Sequence, residues 1–297
     1  MQQTAARIML FLSLAVVGSA IALSRVAPSL SSSLVLHAPI ARAAGEMPGF
    51  DSFQLRVGRN IRLWKGSLQD EQLAQEAQRA ALEELVHEAI VRDRLEQAGM
   101  SVDNSSVEQE YARMLVFAGG ADALASELAL YNWTESEFKE EVVLPAVERA
   151  MLQRLLYANL PEQVQEREEE ARDTAIKLGT RLPEGLEVFS DEDVPLGASV
   201  SELGWVQTSQ IDPWFAEALV DASVGTVTSP VRSPLGLHVF FIVDEREEDI
   251  ERELFVSEVL VDAPEYFEPW LQSEFATEDV AIYLPGLYWE SGRVVAE

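Results

Sequence analysis

The chain contains no cysteine. Disulfides, thiol catalysis and thiolate metal sites are therefore excluded, as is a lipid-modified cysteine. Lysine is nearly missing: Lys65, Lys139 and Lys177 are the only three. Against 51 Asp and Glu stand 22 Lys and Arg, for a formal net charge of −29. No basic stripe is available to neutralise phosphates, which argues against nucleic acid as a partner. The same balance argues against electrostatic adhesion to anionic lipid. A charge of this size acts on solubility and long-range attraction rather than on fold. It suits a solvated acidic surface, and leaves open a preference for basic client segments or a high-salt habitat.

Motifs for cofactor chemistry are missing too. His87-Glu88 opens like a zinc-binding HExxH, but residue 91 is valine. His87 reads instead as a histidine on a helix surface. Gly119-Gly120 lacks the context of a phosphate loop. Ser199 has no second glycine two residues later, so it is not a nucleophile elbow. Asn104-Ser105-Ser106 and Asn132-Trp133-Thr134 are glycosylation sequons, meaningful only in a eukaryotic secretory route. No metal or cofactor is expected.

What is present divides in two. At 297 residues and 47% hydrophobic content, the chain can fill two cores. Residues 8–24 carry no charge and are mostly apolar, between Arg7 and Arg25. They read as an export signal, either cleaved or kept as a membrane anchor. Residues 26–50, rich in Ser, Ala and Pro, read as a linker. From 69 to 98 a stripe of Leu82, Leu85, Val86, Ala89 and Ile90 marks an amphipathic helix, stopped by Gly99. Ser105 with Glu108, and Thr134 with Glu137, have the spacing of capping boxes that start further helices. Pro145 should kink or divide the last of these. Residues 162–172 form a charged, solvent-facing helix.

The stretch 189–243 reads FSDEDVPLGASVSELGWVQTSQIDPWFAEALVDASVGTVTSPVRSPLGLHVFFIV. Leu203, Trp205 and Val206 follow polar turn residues, as in a strand. Asp212-Pro213 can start a helix with Phe215, Ala218 and Leu219 on one face. Residues 231–236 are strand and turn, and 237–243 are a continuous β-prone run suited to a buried strand. By itself this is a small antiparallel sheet with one helix.

The order of these five elements closely resembles the second half of a parvulin-type peptidyl-prolyl isomerase domain. There an acidic turn, GDLGW, a PxFExA helix, a GxVSxPV turn and a GxHII strand follow one another. The segment LEELVHEAIVRDRLEQAGMSVDNSSVEQEYARML is similar to the helical N-terminal domain of SurA-type chaperones and PrsA-like foldases. The resemblance implies an α+β protein: an all-helical chaperone-like domain, then a parvulin-like (FKBP-like) antiparallel sheet with flanking helices. Expected boundaries are 1–25 for the signal or anchor, 26–50 for the linker, 51–160 for the helical domain, 161–262 for the isomerase domain and 263–297 for a C-terminal extension. Carried over by motif, Leu203, Ile211 and Phe215 would hold the substrate proline ring. His238 would be the histidine of the last strand, and Glu192 falls where the family has Cys or Asp.

One element is out of place. The family's domain opens with a strand resembling SHILV, whereas here Leu160-Pro161 leads directly into the charged helix. A similar strand, Ser257-Glu258-Val259-Leu260-Val261, comes after the last expected strand, with Glu258 at the usual histidine position. This implies a circularly permuted domain in which 254–261 pairs antiparallel with 237–243 and Glu258 approaches His238. The resulting expectation is an extracytoplasmic folding factor that isomerises X–Pro bonds and binds unfolded, proline-containing clients. Two other classes stay open: a catalytically inactive chaperone or scaffold, and an acidic cell-surface binding protein.

Overall fold

The computed structural model describes residues 39–64, 70–130, 133–190, 192–208, 211–212, 214–248 and 251–296. The apolar segment 8–24 and most of the expected linker lie outside them. Among the described residues no helix is long and apolar enough to cross a membrane. The protein is α+β and forms two compact units. One runs up to Leu155 and includes Glu268–Glu297; the other is Leu156–Phe267.

The first unit opens with a two-residue strand, β1 (Ala41–Arg42), and helices α1 (Phe50–Trp64) and α2 (Asp70–Gln97). The predicted α2 stripe of Leu82, Leu85, Val86, Ala89 and Ile90 is buried. The helix ends in a Schellman closure: Met100 N–H donates to Leu95 O, and Gly99 N–H to Glu96 O. Gly99 has φ +73°, the left-handed conformation that glycine adopts at no steric cost. Helix α3 (Asn104–Ala118) does not start at the expected Ser105–Glu108 box. Asp103 is the cap, its Oδ1 accepting from Ser106 N–H at 2.7 Å. Asp caps as well as Ser, and it stands two residues earlier in extended conformation.

After α4 (Ala121–Leu130), the Thr134–Glu137 box is formed as expected and starts α5 (Glu135–Phe138). This helix runs through a π-helical turn, Lys139–Val143, into α6 (Leu144–Ala158). Pro145 supplies the reason. It has no N–H for Glu141 O and its ring crowds that carbonyl, so the chain widens by one residue ahead of it. Val107, Tyr111, Leu124, Leu128, Phe138 and Val143 form the core of α3 to α6.

Charge is also buried here. Arg56, 4% exposed, donates to both carboxylate oxygens of Glu88 at 2.5 and 2.7 Å and lies 2.6 Å from Glu141. Arg59 pairs with Glu84. Burial pushes the Glu88 carboxyl above its usual range, and Arg56 opposes that shift.

The second unit begins with α7 (Glu162–Gly179), whose Ala171, Ala175 and Leu178 are buried. Most of its charges are exposed as expected, but Glu168 is buried beside Arg232 at 3.3 Å. Four strands follow: β2 (Ala198–Gln207), β3 (Val231–Ser233), β4 (Gly236–Glu248) and β5 (Glu251–Val261), with the one-turn helix α8 (Ala216–Leu219) between β2 and β3. They form one antiparallel sheet in the order β2-β5-β4-β3. The strand expected to come late in the chain thus fills the central slot, with Leu237 opposite Val261 and Phe240 opposite Glu258. Two glycines allow the close packing. A Cβ on Gly236 would stand 2.3 Å from Val261 O, and one on Gly179 would stand 2.4 Å from Val239 Cγ1.

Strand alternation gives the sheet two apolar faces. Leu237, Val239, Val259 and Val261 pack against Ala171, Ala175 and Leu178 of α7. Phe240, Ile242, Leu254 and Val256 face the other way, against Ile211 and Leu219.

The C-terminal segment returns to the first unit. It holds α9 (Phe267–Thr277), β6 (Ala281–Ile282) and the hairpin β7 (Leu287–Glu290) with β8 (Arg293–Ala296). β6 pairs antiparallel with β1, and Ile40, Ala41 and Ala43 are buried. Residues 39–49 are therefore packed and bridged rather than a tether. Their small side chains, which suggested a linker, are what a tight edge pairing admits. His87 is not a solvent-facing histidine either. Its ring lies flat on Phe275 at 3.6 Å, meets Trp289 edge-on, and donates from Nε2 to Gly292 O at 3.0 Å.

Burial, the larger effect, holds His87 down at about 4, against a weaker upward pull from Gly292 O. The folded protein thus keeps His87 neutral where the unfolded chain, near 6.5, takes up a proton. Stability from this group is complete above pH 6.5 and is lost as pH falls towards 4, by up to about 3 kcal/mol. His87→Gln, which keeps a donor for Gly292, should flatten the urea-unfolding stability of the first unit across that window relative to wild type. Parallel pH profiles would contradict the assignment.

Candidate active site

The face of the sheet away from α7 carries the candidate site. On β4, His238 and Phe240 are two residues apart and share that face. On β5, Glu258 is directly opposite Phe240, so it shares the face as well. β3 and β4 meet in a two-residue turn, with Ser233 opposite Gly236 and Val231 opposite His238. Ser233 therefore joins the same face.

His238 is 2% exposed and bonded at both ring nitrogens. Nδ1 lies 2.7 Å from Glu258 Oε1, and Nε2 lies 2.6 Å from Ser233 Oγ. A carboxylate can only accept, so the proton sits on Nδ1. Nε2 shares a hydrogen bond with the Ser233 hydroxyl. Ser233 Oγ in turn accepts Leu235 N–H at 3.1 Å, which pins the turn. Three strands are thereby linked through side chains that a dry site could not otherwise hold.

Over this line lies an aromatic wall. The Phe215 ring is 4.6 Å from His238 and 5.1 Å from Phe240, the second contact edge-on. His238 and Phe240 are near parallel at 5.8 Å. Phe215 stands at the start of α8, where Asp212 Oδ1 accepts from Trp214 N–H at 2.9 Å and turns the chain. The helix is one turn long, shorter than the PWFAEAL pattern suggests, but it still seats Leu219 in the core. Ile211 is buried with Phe240, Ile242, Leu254 and Val256, and Phe215 packs against that cluster.

Four of the six residues singled out in the sequence thus converge: His238, Glu258, Phe215 and Ile211. Leu203 is on the sheet but 45% exposed. It falls where the β2–β5 register slips between Glu202 and Gly204, and Gly204 has φ +77°. The bulge leaves Leu203 without a cross-strand partner, and Val206 is the β2 residue that reaches the apolar cluster. Glu192 is exposed in the loop before β2, with no hydrogen bond or ion pair to His238. Its neighbour Asp193 is the anchored one. Hydrogen bonds from the Ser190 hydroxyl and N–H, with Arg181 adding to them, hold its carboxyl down at about 2. Two members were not foreseen. Phe240 read only as part of a strand, and Ser233 only as part of a turn. The two-residue turn, once paired, is the signal that puts Ser233 beside His238.

Residues 157–244 match the family model described as PPIC-type PPIASE domain, Rotamase. Among curated proteins the chain is similar to the Chaperone SurA of Alkalilimnicola ehrlichii, 31% identical over 102 residues, 33% of this chain and 23% of that protein. It is similar to the Chaperone SurA of Pseudoalteromonas translucida, 23% identical over 205 residues, 56% of this chain and 48% of that one. The Chaperone SurA of Chromohalobacter salexigens is 30% identical over 98 residues, 33% of this chain and 22% of that protein. The chain thus spans about half or less of the length of the curated relatives it matches. It carries a parvulin-type rotamase domain next to a SurA-like helical region. The matched segment ends before β5, the strand at the centre of the sheet.

The network has a stability consequence. Ser233→Ala removes the partner of a buried ring nitrogen and of Leu235 N–H. It should cost about 1–3 kcal/mol in urea unfolding of the second unit. An unchanged midpoint would show that the network does not hold the strands.

Proposed function

We propose that the second unit catalyses cis/trans exchange of X–Pro bonds, and that the protein acts on exported, unfolded polypeptides outside the cytoplasm. The observation that carries this reading is the Phe215 wall over a buried His238 held by Glu258 and Ser233. Amide resonance sets a barrier of about 18–20 kcal/mol to rotation, and uncatalysed exchange takes roughly tens to hundreds of seconds. No bond is made or broken. A dry apolar surface that grips the proline ring, beside polar groups that disfavour the planar amide, is sufficient. Phe215, with Ile211 behind it, supplies the grip. Leu203, exposed at the bulge, is available to close over a bound ring. Glu258 and Ser233 fix the tautomer and plane of His238, so that its environment does not reorganise during rotation. Glu192 stands outside this scheme. The SurA-like helical region holds the client, and the N-terminal apolar segment serves export or anchoring.

A second reading is a binder that holds unfolded chains without accelerating exchange. It is favoured by one fact: both nitrogens of His238 are already engaged, and the ring is 2% exposed. A protease-coupled or NMR exchange assay of the full chain on X–Pro peptides separates the two. An isomerase shortens the exchange time, whereas a binder only suppresses aggregation of a denatured client.

Phe215→Ala should lower the catalysed rate about tenfold or more, equivalent to about 1.4 kcal/mol of barrier. Truncating a fully buried Phe costs about 3–5 kcal/mol, and the half-buried Phe215 should cost less, so a melting curve accompanies the assay. Full activity in the folded variant would sink the pocket assignment.

A further inference from the structure

Glu258 uses only half of its carboxylate inside the protein. Oε1 holds His238, whereas Oε2 has no hydrogen-bond partner among the described residues and is not sealed from solvent. The Glu258 side chain is 14% exposed. It sits on the Phe215 face of the sheet, the face proposed above to take the proline ring. An ionised carboxylate oxygen can only accept, from water or from a donor that a ligand brings.

No cation of its own unit neutralises it. Leu156–Phe267 contains seven basic residues against 25 acidic ones. Arg172, Arg181, Arg232, Arg246 and Arg252 are each held by backbone carbonyls or by other carboxylates. Arg167 and Lys177 belong to α7, which packs on the opposite face. A cationic group on the ligand is then the partner that can replace water at this oxygen.

We propose that Glu258 is a specificity-determining residue that selects prolines flanked by arginine or lysine, its Oε2 accepting from the cationic side chain. This rests on the rotamase site proposed above. Neighbouring Cα atoms are about 3.8 Å apart, so the long side chain of a residue next to proline can reach back to the rim of the pocket. An Arg fork or a Lys ammonium then completes the carboxylate, and the surrounding negative charge favours approach. A Glu in the same position meets like charge and is disfavoured.

The test uses the full chain and peptides that differ only beside the proline: Arg, Lys, Ala or Glu before it, and the same set after it. Two quantities are read, affinity from tryptophan fluorescence and the rate of cis/trans exchange. At low salt, the Arg and Lys peptides should bind about three- to tenfold more tightly than the Ala peptide, with Glu weakest. The ordering should shrink at about 1 M salt, where the Debye length is about 3 Å. Glu258→Gln should collapse the ratio between Arg and Glu peptides, whatever it does to the absolute rate, and Glu258→Asp should keep the ordering. Equal affinity for Arg and Glu peptides in wild type overturns the proposal. So does an undiminished ratio in Glu258→Gln, which would assign the preference to the net charge alone. If the affinity ordering appears without faster exchange, the selectivity stands and the isomerase reading falls. If no peptide binds, both fall.

Discussion

The central strand β5 must be hydrogen-bonded along both edges, and the second unit is organised around that requirement. A buried backbone N–H or C=O without a partner costs about as much as a lost hydrogen bond. β2 and β4 each present one edge to the slot, and β5 satisfies both ladders at once. Because the strand comes last, β3, β4 and β5 form an antiparallel meander with two residues between successive strands. Only the β2–β5 ladder joins segments distant in sequence. The local meander costs little loop-closure entropy, and the β2 pairing bears most of it. The register that results also decides the chemistry. Setting Phe240 opposite Glu258 puts His238 and Glu258 on one face and Val239 and Val259 on the other. A slip of one residue would send Glu258 under α7 and a valine into the pocket.

This explains which features were legible in the sequence. The strand placement follows from the resemblance of 257–261 to the family's opening strand, which is missing before α7, and period-2 alternation then sets the face of Glu258. The helical stripe of α2, the Gly99 stop, the Thr134–Glu137 box and the break at Pro145 rest on local backbone chemistry, and each appears where that chemistry puts it. Features that depend on a distant partner were not legible. His87 shows no sign in its own helix of Phe275 and Trp289 reaching it from the far end of the chain. Residues 39–49 look like a linker until β6 pairs with them. Leu203 sits in a motif that suggests a pocket wall, yet a bulge, set by Gly204, shifts it out of the ladder. Glu192 was assigned by counting along a loop, where spacing fixes no position in space. Competition between two good caps explains the shift from Ser105 to Asp103.

Glu258, which by resemblance falls at the family's histidine position, puts a carboxylate beside His238. Two imidazoles side by side can share one proton in either direction. A carboxylate beside an imidazole removes that freedom, because it can only accept. His238 keeps its Nδ1 proton towards Glu258, and Ser233 Oγ holds Nε2 from the other side. The gain is a rigid polar floor under an aromatic wall, and the loss is any exchange of roles between the two groups. For the isomerase reading proposed above, which needs bond rotation without proton transfer, rigidity is the more useful property, because the polar environment would not have to reorganise as the amide twists.

The scarcity of cations shapes both units in the same way. With 22 Lys and Arg against 51 acidic groups, positive charge is the limiting component. Arginine rather than lysine supplies most of it, and the planar fork is placed where two acceptors converge. Arg56 grips both oxygens of Glu88, Arg92 joins Glu46 and Glu148, and Arg94 joins Glu274 and Glu278. In the second unit Arg252 caps the carbonyls of Val220 and Ala222, and Arg232 binds Pro264 O. Exposed pairs of this kind contribute little, about 0–1 kcal/mol each, so their number alone is a poor account of stability. Those in the interior matter because breaking one strands a buried charge, at a cost of about 3–5 kcal/mol. The consequence for the surface follows directly. Cations drawn inward or tied to the backbone leave the outward-facing carboxylates uncompensated, and the protein meets its surroundings as a polyanion. Its field reaches about 8–10 Å at ordinary ionic strength. Within that distance a positively charged group is attracted and a negatively charged one repelled before any apolar contact is made.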